Sequence, residues 1–381
     1  MKLIQLSTVF GALFLVGSAE VVAGPMMTFM GPDFGVASNA IAYLPAAYGL
    51  AYGAIALIAG PLSDRLGRKR PLQAGLLGFS ALCALMPKAS CLWMGVALAG
   101  LTGVCAAIIQ PNCLALVGDR ASSEKIDRYL GRVFVGLMLA FVLTPSIAGW
   151  LAGHTSWKHA YYLLAALAAL AFFVVSIVFD SSFARPTTKT PSLASTHLGA
   201  LSTGGVLARL LASYFWLGWM AGFGAIVADI AASKSSLAPD DAGLLAGFFG
   251  LVVIAGNLAG PYLRRAVDDI ALPSAAFAGS IGVIAFSIPT SSVYQLALAG
   301  MPWAFGYGCG GPLHHARLSG LSAIYRGTIN SYHASLLNLG IFSVSFLFGS
   351  LVPVTSLTFF CLAVGVVSLI GAVLLALVSR P

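Results

Sequence analysis

The sequence predicts an all-α integral membrane protein: twelve transmembrane helices in two pseudo-symmetric six-helix bundles. Three observations carry this. Of 381 residues, 59% are hydrophobic and only 8% charged, with a mean hydropathy of +0.93, whereas about a quarter of a soluble domain is charged. Apolar runs of about 20 residues recur without period-2 alternation, which selects helices over barrel strands as the way to satisfy backbone polar groups in lipid. Charge is confined to short breaks between the runs, and its distribution is one-sided.

In chain order the spans are expected at 7–30, 40–62, 71–87, 92–117, 129–152 and 159–179, then at 204–229, 241–263, 271–289, 293–315, 327–350 and 354–378. The first run is longer than the apolar core of a secretion signal and is interrupted by Glu20, so a retained span is expected. Between the sixth and seventh lies the long polar connection, Asp180–Ser202, with Arg185, Pro186, Lys189 and Pro191. It divides the chain into an N-terminal bundle (1–180), a linker (181–202) and a C-terminal bundle (203–381). Of the 20 Lys and Arg residues, this topology sends only Lys88, Lys158 and Lys234 to one side and the other seventeen to the side of both termini. The positive-inside rule makes that side cytoplasmic, and the expected location is a bacterial inner membrane.

The halves echo each other. Ile58-Ala59-Gly60-Pro61 returns as Leu258-Ala259-Gly260-Pro261, and Pro111 of the fourth span has its counterpart in Pro312 of the tenth. Such duplication is the pattern of secondary transporters, with a substrate site between the halves.

Other classes are excluded. The net charge of +8 sits in short loops and forms no basic face for nucleic acid. Cys83, Cys91, Cys105, Cys113, Cys309 and Cys361 show neither CxxC pairing nor metal spacing and are expected as reduced packing residues. There is no paired-carboxylate site, nucleophile elbow or phosphate loop, so neither an enzyme nor an ATP-driven pump is expected, and no cofactor or metal. The partners expected are lipid, a small-molecule substrate and protons, with the chain working as a monomer.

Gly60-Pro61-Leu62-Ser63-Asp64-Arg65-Leu66-Gly67-Arg68-Lys69-Arg70 falls in the loop between the second and third spans. It resembles the loop signature of the major facilitator superfamily, G-x-L-x-D-R-x-G-R-K/R. The resemblance covers the whole chain and points to the twelve-span drug:proton antiporter branch with its sugar-efflux relatives, implying the major facilitator fold. Gly17-Ser18-Ala19-Glu20 with Gly24-Pro25 looks like that branch's acidic first-helix pattern. Thr144-Pro145-Ser146-Ile147-Ala148-Gly149, followed by Trp157-Lys158-His159, looks like the antiporter motif G-P-x-x-G-G, although Thr144 and Ala148 replace glycines. Where many antiporters carry a fourth-span Arg, this chain has Val96.

Glu20 reads as the one acidic residue near the middle of a span, where a carboxylate costs about 2.5–3.5 kcal/mol on insertion scales unless it faces a cavity or is neutralised. Gly17, Glu20 and Gly24 share a helical face, which would let it line a cavity and exchange a proton; a protonated structural Glu is the alternative. The resemblance implies that Asp64, Arg65, Gly67 and Arg68 form a conformational latch, with Asp64 at the N-terminus of the eleventh helix and Arg68 paired to Asp119; the alternative is that the basic residues only set topology.

Trp216, Trp219 and Phe223 share a face of the seventh span, as do Trp303 and Tyr307 of the tenth. They are candidate aromatic walls for a lipophilic or cationic substrate, or else interfacial packing. Asn338 in the eleventh span and Asn112 beside Pro111 in the fourth are the polar candidates. His333 reads as an interfacial residue or a proton relay, and His314 and His315 as loop-edge residues.

The expected function is proton-coupled export of a small lipophilic cationic or neutral compound, a drug, sugar or metabolite, by alternating access. Uptake of a neutral nutrient and a non-transporting sensor are the alternatives.

Overall fold

The structure, a computed structural model, describes residues 3–120, 126–179, 193–322 and 324–378; the side chains of 60–66, 120, 126–128, 193 and 194 lie outside that description. The described residues form helices and connecting turns, with no strand among them. The first half holds α1 (Leu3–Val21), α2 (Met27–Phe34), α3 (Tyr43–Leu66), α4 (Lys69–Leu85), α5 (Leu92–Arg120), α6 (Ile126–His154) and α7 (Trp157–Val178). After α8 (Leu193–Ser202), the second half holds α9 (Val206–Ala212), α10 (Trp219–Ser235), α11 (Pro239–Val267), α12 (Ala271–Ala285), α13 (Val293–Gly320), α14 (Arg326–Leu351) and α15 (Leu357–Val378). Nine helical stretches among the described residues are long and apolar enough to cross a membrane. One of them, 239–285, contains both α11 and α12, and α4 and α13 complete a set of twelve crossings.

Each expected span is present, with instructive differences. The first is broken: α1 ends at Val21, a short 3₁₀ turn spans Gly24–Met26, and α2 follows. Pro25 lacks an N–H and its ring would clash with the carbonyl four residues back, which is that of Val21. The seventh contains a π turn, Ser213–Gly218, and runs on to Ser235. The tenth continues through two prolines to Gly320, which corrects the expectation that His314 and His315 are loop-edge residues. Within the expected linker, 193–202 form α8, while 180–192 lie outside the described residues. Ala200 of α8 is fully buried with Val206, Leu210, Leu318 and Ile329, so α8 is seated on the second half.

The two halves meet along two glycine-lined seams. On α3, a Cβ on Gly49 would stand 2.6 Å from the Asn338 carbonyl oxygen, and one on Gly53 2.9 Å from that of Ser335. On the other side, Gly243 of α11 abuts the Pro145 carbonyl, Gly149 of α6 abuts that of Pro239, and a Cβ on Gly247 would lie 2.8 Å from that of Val142. Small residues let helix backbones approach this closely in lipid, where apolar burial drives no association. A third contact joins the broken first span to α10, where a Cβ on Gly24 would be 2.7 Å from the Ala225 carbonyl oxygen.

The termini of the helices around Arg68, Arg209, Arg317 and Arg326 define a basic face. At this face each half carries an ion pair in the same place. Arg68, in the turn between α3 and α4, meets Asp119 at the end of α5 at 3.1 Å. Asp269, in the turn between α11 and α12, meets Arg317 near the end of α13 at 2.8 Å. The repeat preserves the pair and inverts its charges.

Candidate functional site

The break before Pro25 sets the site, because it leaves Glu20 in the last turn of α1 beside the seam. Glu20 is half-buried, and its carboxyl has no hydrogen bond or ion pair among the described residues. Around the end of α1, Tyr48 and Tyr52 belong to α3, and Tyr307 of α13, in the other half, lines a cavity together with Val21. Tyr48 donates to the Val16 carbonyl at 3.1 Å, and Tyr52 to Gln110 Oε1 at 2.8 Å. α1 is held to α6 by the hydroxyls of Ser18 and Thr144, 2.7 Å apart.

Next to Glu20, a cavity of about 30 Å³ is lined by Val21, Phe141, Pro145, Met220, Trp303 and Tyr307 among others. A single water needs about 10–15 Å³, so this cavity is too small for a substrate. Trp303 is fixed by its Nε1–H donating to the Met220 carbonyl at 3.2 Å and by edge-on contacts with Phe223 and Phe249, centroids 5.2 and 5.6 Å away. A second cavity, of about 20 Å³, lies within the first half beside Tyr48, Cys83 and Tyr161.

The expected residues therefore divide. Pro145, Trp303 and Tyr307 converge on one cavity, and Glu20 stands one residue before Val21 of its lining. Trp216 does not: the π turn carries its backbone against Gly371 and its ring against Gly310 inside the second bundle, which corrects the shared aromatic face with Trp219 and Phe223. Trp219 is also buried, with no partner for its Nε1 among the described residues. Asn112 is fully buried in the first half and donates to the Ile108 carbonyl at 2.7 Å. Asn338 lies on the α3–α14 seam, donates to the Ala334 carbonyl at 3.0 Å, and leaves Oδ1 without a partner among the described residues. The faces of Gly17 and Gly24 are closed by α6 and α10, so these glycines serve close approach and not the cavity. Gly149 likewise belongs to the α6–α11 seam.

In the expected latch, Gly67 takes φ +79°, a conformation that suits glycine alone, and turns α3 into α4. Besides the Arg68–Asp119 pair, Lys69 Nζ donates to the Ser176 carbonyl at 2.9 Å, binding the loop to the end of α7. The side chains of Asp64 and Arg65 lie outside the described residues. At the opposite, far face, Asp33 accepts from Trp157 Nε1 at 2.9 Å and pairs with Lys158 at 3.4 Å.

Two features escaped the sequence reading. Asp229 is a fully enclosed carboxyl, 2% exposed, with Oδ1 unpartnered among the described residues; its span was read as ending there, and only the longer α10 encloses it. His314 and His333 are buried and share Ser213 as a hydrogen-bond partner. The spacing from Tyr307 to His314 along one helix was the available signal.

Membrane-length helices packed along glycine-lined seams define a polytopic membrane protein. The model of the Major Facilitator Superfamily matches residues 9–313, and the chain belongs to that family. Over 192 residues it is 29% identical to the uncharacterized MFS-type transporter YceJ of Bacillus subtilis (strain 168), a match covering 48% of each chain. Over 152 residues it is 30% identical to the multidrug transporter protein MdtP of the same organism, covering 40% of this chain and 28% of that one. The chain thus spans about half or less of the length of these curated relatives. The fold superposes on the nucleoside transporter NupG with a TM-score of 0.80, 12% identity and 99% coverage of both chains.

Proposed function

We propose that the chain is a proton-coupled exporter of small lipophilic cationic or neutral compounds, working as a monomer by alternating access in a bacterial inner membrane, its basic face cytoplasmic. Residues 1–180 and 203–381 are the two rocking bundles. The observation that carries this reading is the Glu20 carboxyl, without an ion pair or hydrogen bond among the described residues and adjacent in sequence to Val21, which shares a cavity with Tyr307 of the other half. A group so placed has its surroundings rebuilt whenever the halves move, and its proton affinity changes with them. The aromatic lining of Trp303, Tyr307 and Phe141 suits a lipophilic guest, and the likeness to a multidrug transporter points the same way. Trp216, Trp219, Asn112 and Asn338 stand outside the closed cavity and are assigned to packing and to the seams.

The test is flux of ethidium, a lipophilic cation, from proteoliposomes under an imposed pH gradient. Glu20→Gln is expected to abolish gradient-driven flux and to spare ethidium exchange at equal pH. Unchanged proton-driven flux in that variant sinks the assignment.

A further inference from the structure

Asp229 is a titratable group that the Glu20 reading does not use. It lies about 9 Å from the end of α10 at Ser235, counted by the rise per residue, which places it in the far half of the membrane. It is 2% exposed, and Oδ1 has no hydrogen-bond partner among the described residues. An ionised carboxylate in such a place costs far more than a neutral one, because nothing replaces the water it gives up. Burial of Asp229 is therefore tied to its carrying a proton.

On one side, α10 meets the other half of the molecule. A Cβ on Gly24, in the break of the first span, would stand 2.7 Å from the Ala225 carbonyl oxygen and 3.9 Å from Ala228 Cβ. Asp229 follows Ala225 by four residues, so it extends the stripe of α10 that Gly24 covers, one turn closer to the far face. Helical side chains lean toward the N-terminus of their helix, which carries the Asp229 carboxyl back toward the Ala225 turn. On its other side, α10 packs through Gly218 and Gly222 on α14 of its own bundle, and that contact moves with it. The Gly24 contact joins opposite bundles and is lost when their far ends separate. Water then reaches the stripe from the far face.

Few ionisable groups surround this end of α10. They are Glu20 on α1, Asp33 on α2, which pairs with Lys158, and Asp240 and Asp241 in the first turn of α11. On α10 itself, Lys234 donates to the carbonyls of Phe286 and Ile288. The far halves of α12, α13, α14 and α15 carry no charged residue, and Tyr307 and Cys361 are their neutral titratable groups nearest to α10. No cation on these elements pairs with Asp229, so water is what stabilises its ionised form.

We propose that Asp229 is a second proton-binding site, protonated while the far face is closed and ionised while it is open, so that each closure takes up one proton there from the far side. The proposal rests on the alternating-access reading and is independent of the role given to Glu20. Because the closed state encloses Asp229 in the far half, the proton returns to the far side when that face reopens. It sets the closing equilibrium and is not carried across. Uptake of one proton on closing raises the ratio of closed to open molecules about tenfold for each pH unit lowered, between the proton affinities of the two states. Acid on the far side thus favours the closed far face.

The experiment measures that ratio in the full-length protein in lipid nanodiscs, where both faces share one pH. Spin labels are attached through Lys88→Cys and Ala238→Cys, exposed far-face positions in opposite halves, in a background carrying Cys91→Ser to remove an exposed native thiol. The populations are read from the distance distribution as pH is varied. In Glu20→Gln, which removes the carboxyl of α1, the closed-to-open ratio is expected to rise about tenfold per pH unit lowered. Adding Asp229→Asn should leave the ratio flat, whereas adding Asp229→Glu should keep the slope. Should Asp229→Asn fail to fold, Asp229→Ala carries the test. A flat ratio in Glu20→Gln alone, or an unchanged slope once Asp229→Asn is added, overturns the Asp229 site and leaves alternating access standing. If no variant, Gly243→Val included, shows an open far-face population at any pH, the alternating-access reading is overturned and this proposal falls with it.

Discussion

Single residues in this protein take their roles from which backbone breaks surround them. Glu20 was recognisable in the sequence because a lone carboxyl amid apolar residues is conspicuous, whereas Asp229 sat at the end of an expected span, 204–229. Its burial follows from α10 running six residues further, to Ser235. Because Asp229 forms no ion pair among the described residues and has Oδ1 unpartnered, Asp229→Asn removes no salt bridge and relieves the cost of burying an ionisable group. We expect a thermal midpoint equal to or above wild type; a fall equivalent to about 2 kcal/mol or more, the cost of a broken buried pair, contradicts this. The aromatic candidates were separable only in three dimensions. Trp303 reaches the cavity and Trp216 does not, because an inserted π turn shifts the seventh helix off the 3.6-residue spacing by which the two were judged.

At the scale of elements, the chain shows how one ancestral arrangement is kept with different chemistry. Arg68–Asp119 in the first half and Asp269–Arg317 in the second both join the turn after the second helix of a bundle to the end of its fourth. The sequence echo at Pro61 and Pro261 pointed to the repeat, yet the acidic member of the loop moved to another position, so the second pair was not readable. The inversion gives a direct prediction. Arg68→Asp alone should lower stability slightly, and adding Asp119→Arg should recover it by recreating the order of the second half. The pair is partly exposed, at 19% and 41% for the two side chains, so the double-mutant cycle is expected to give a coupling of about 0.2–1 kcal/mol that fades with salt.

Over the whole molecule, the described seam contacts lie in the parts of the helices away from the basic face. They join 39–53 with 335–349, and 141–149 with 239–250. The far face is therefore closed in this structure, and in the alternating-access cycle we propose these glycine seams are what must open. Gly243→Val places a side chain against the Pro145 carbonyl and the Gly149 backbone, which should hold the far face open. Cysteines placed along the far half of α11 are expected to gain reactivity toward an impermeant thiol reagent in that variant, with turnover falling about tenfold or more for a shift of about 1.4 kcal/mol. Unchanged labelling would show that this seam is not part of the gate.

The sequence by itself determined the membrane class, the twelve spans, the repeat, the family-bearing loop and the unusual carboxyl in the first span. Each is written in composition, period or local motif, and lipid enforces these strictly because it satisfies no stray backbone group. The tertiary structure alone decided which residues meet: Val21, next to Glu20, with Tyr307 of the other half around one cavity, Trp303 rather than Trp216 beside it, and Ser213 with two histidines from helices distant in the chain. The reason is geometric. A proline break, a π turn and an overlong helix each move side chains around or along a helix axis by a fraction of a turn or more, and partners in contact are chosen within that margin.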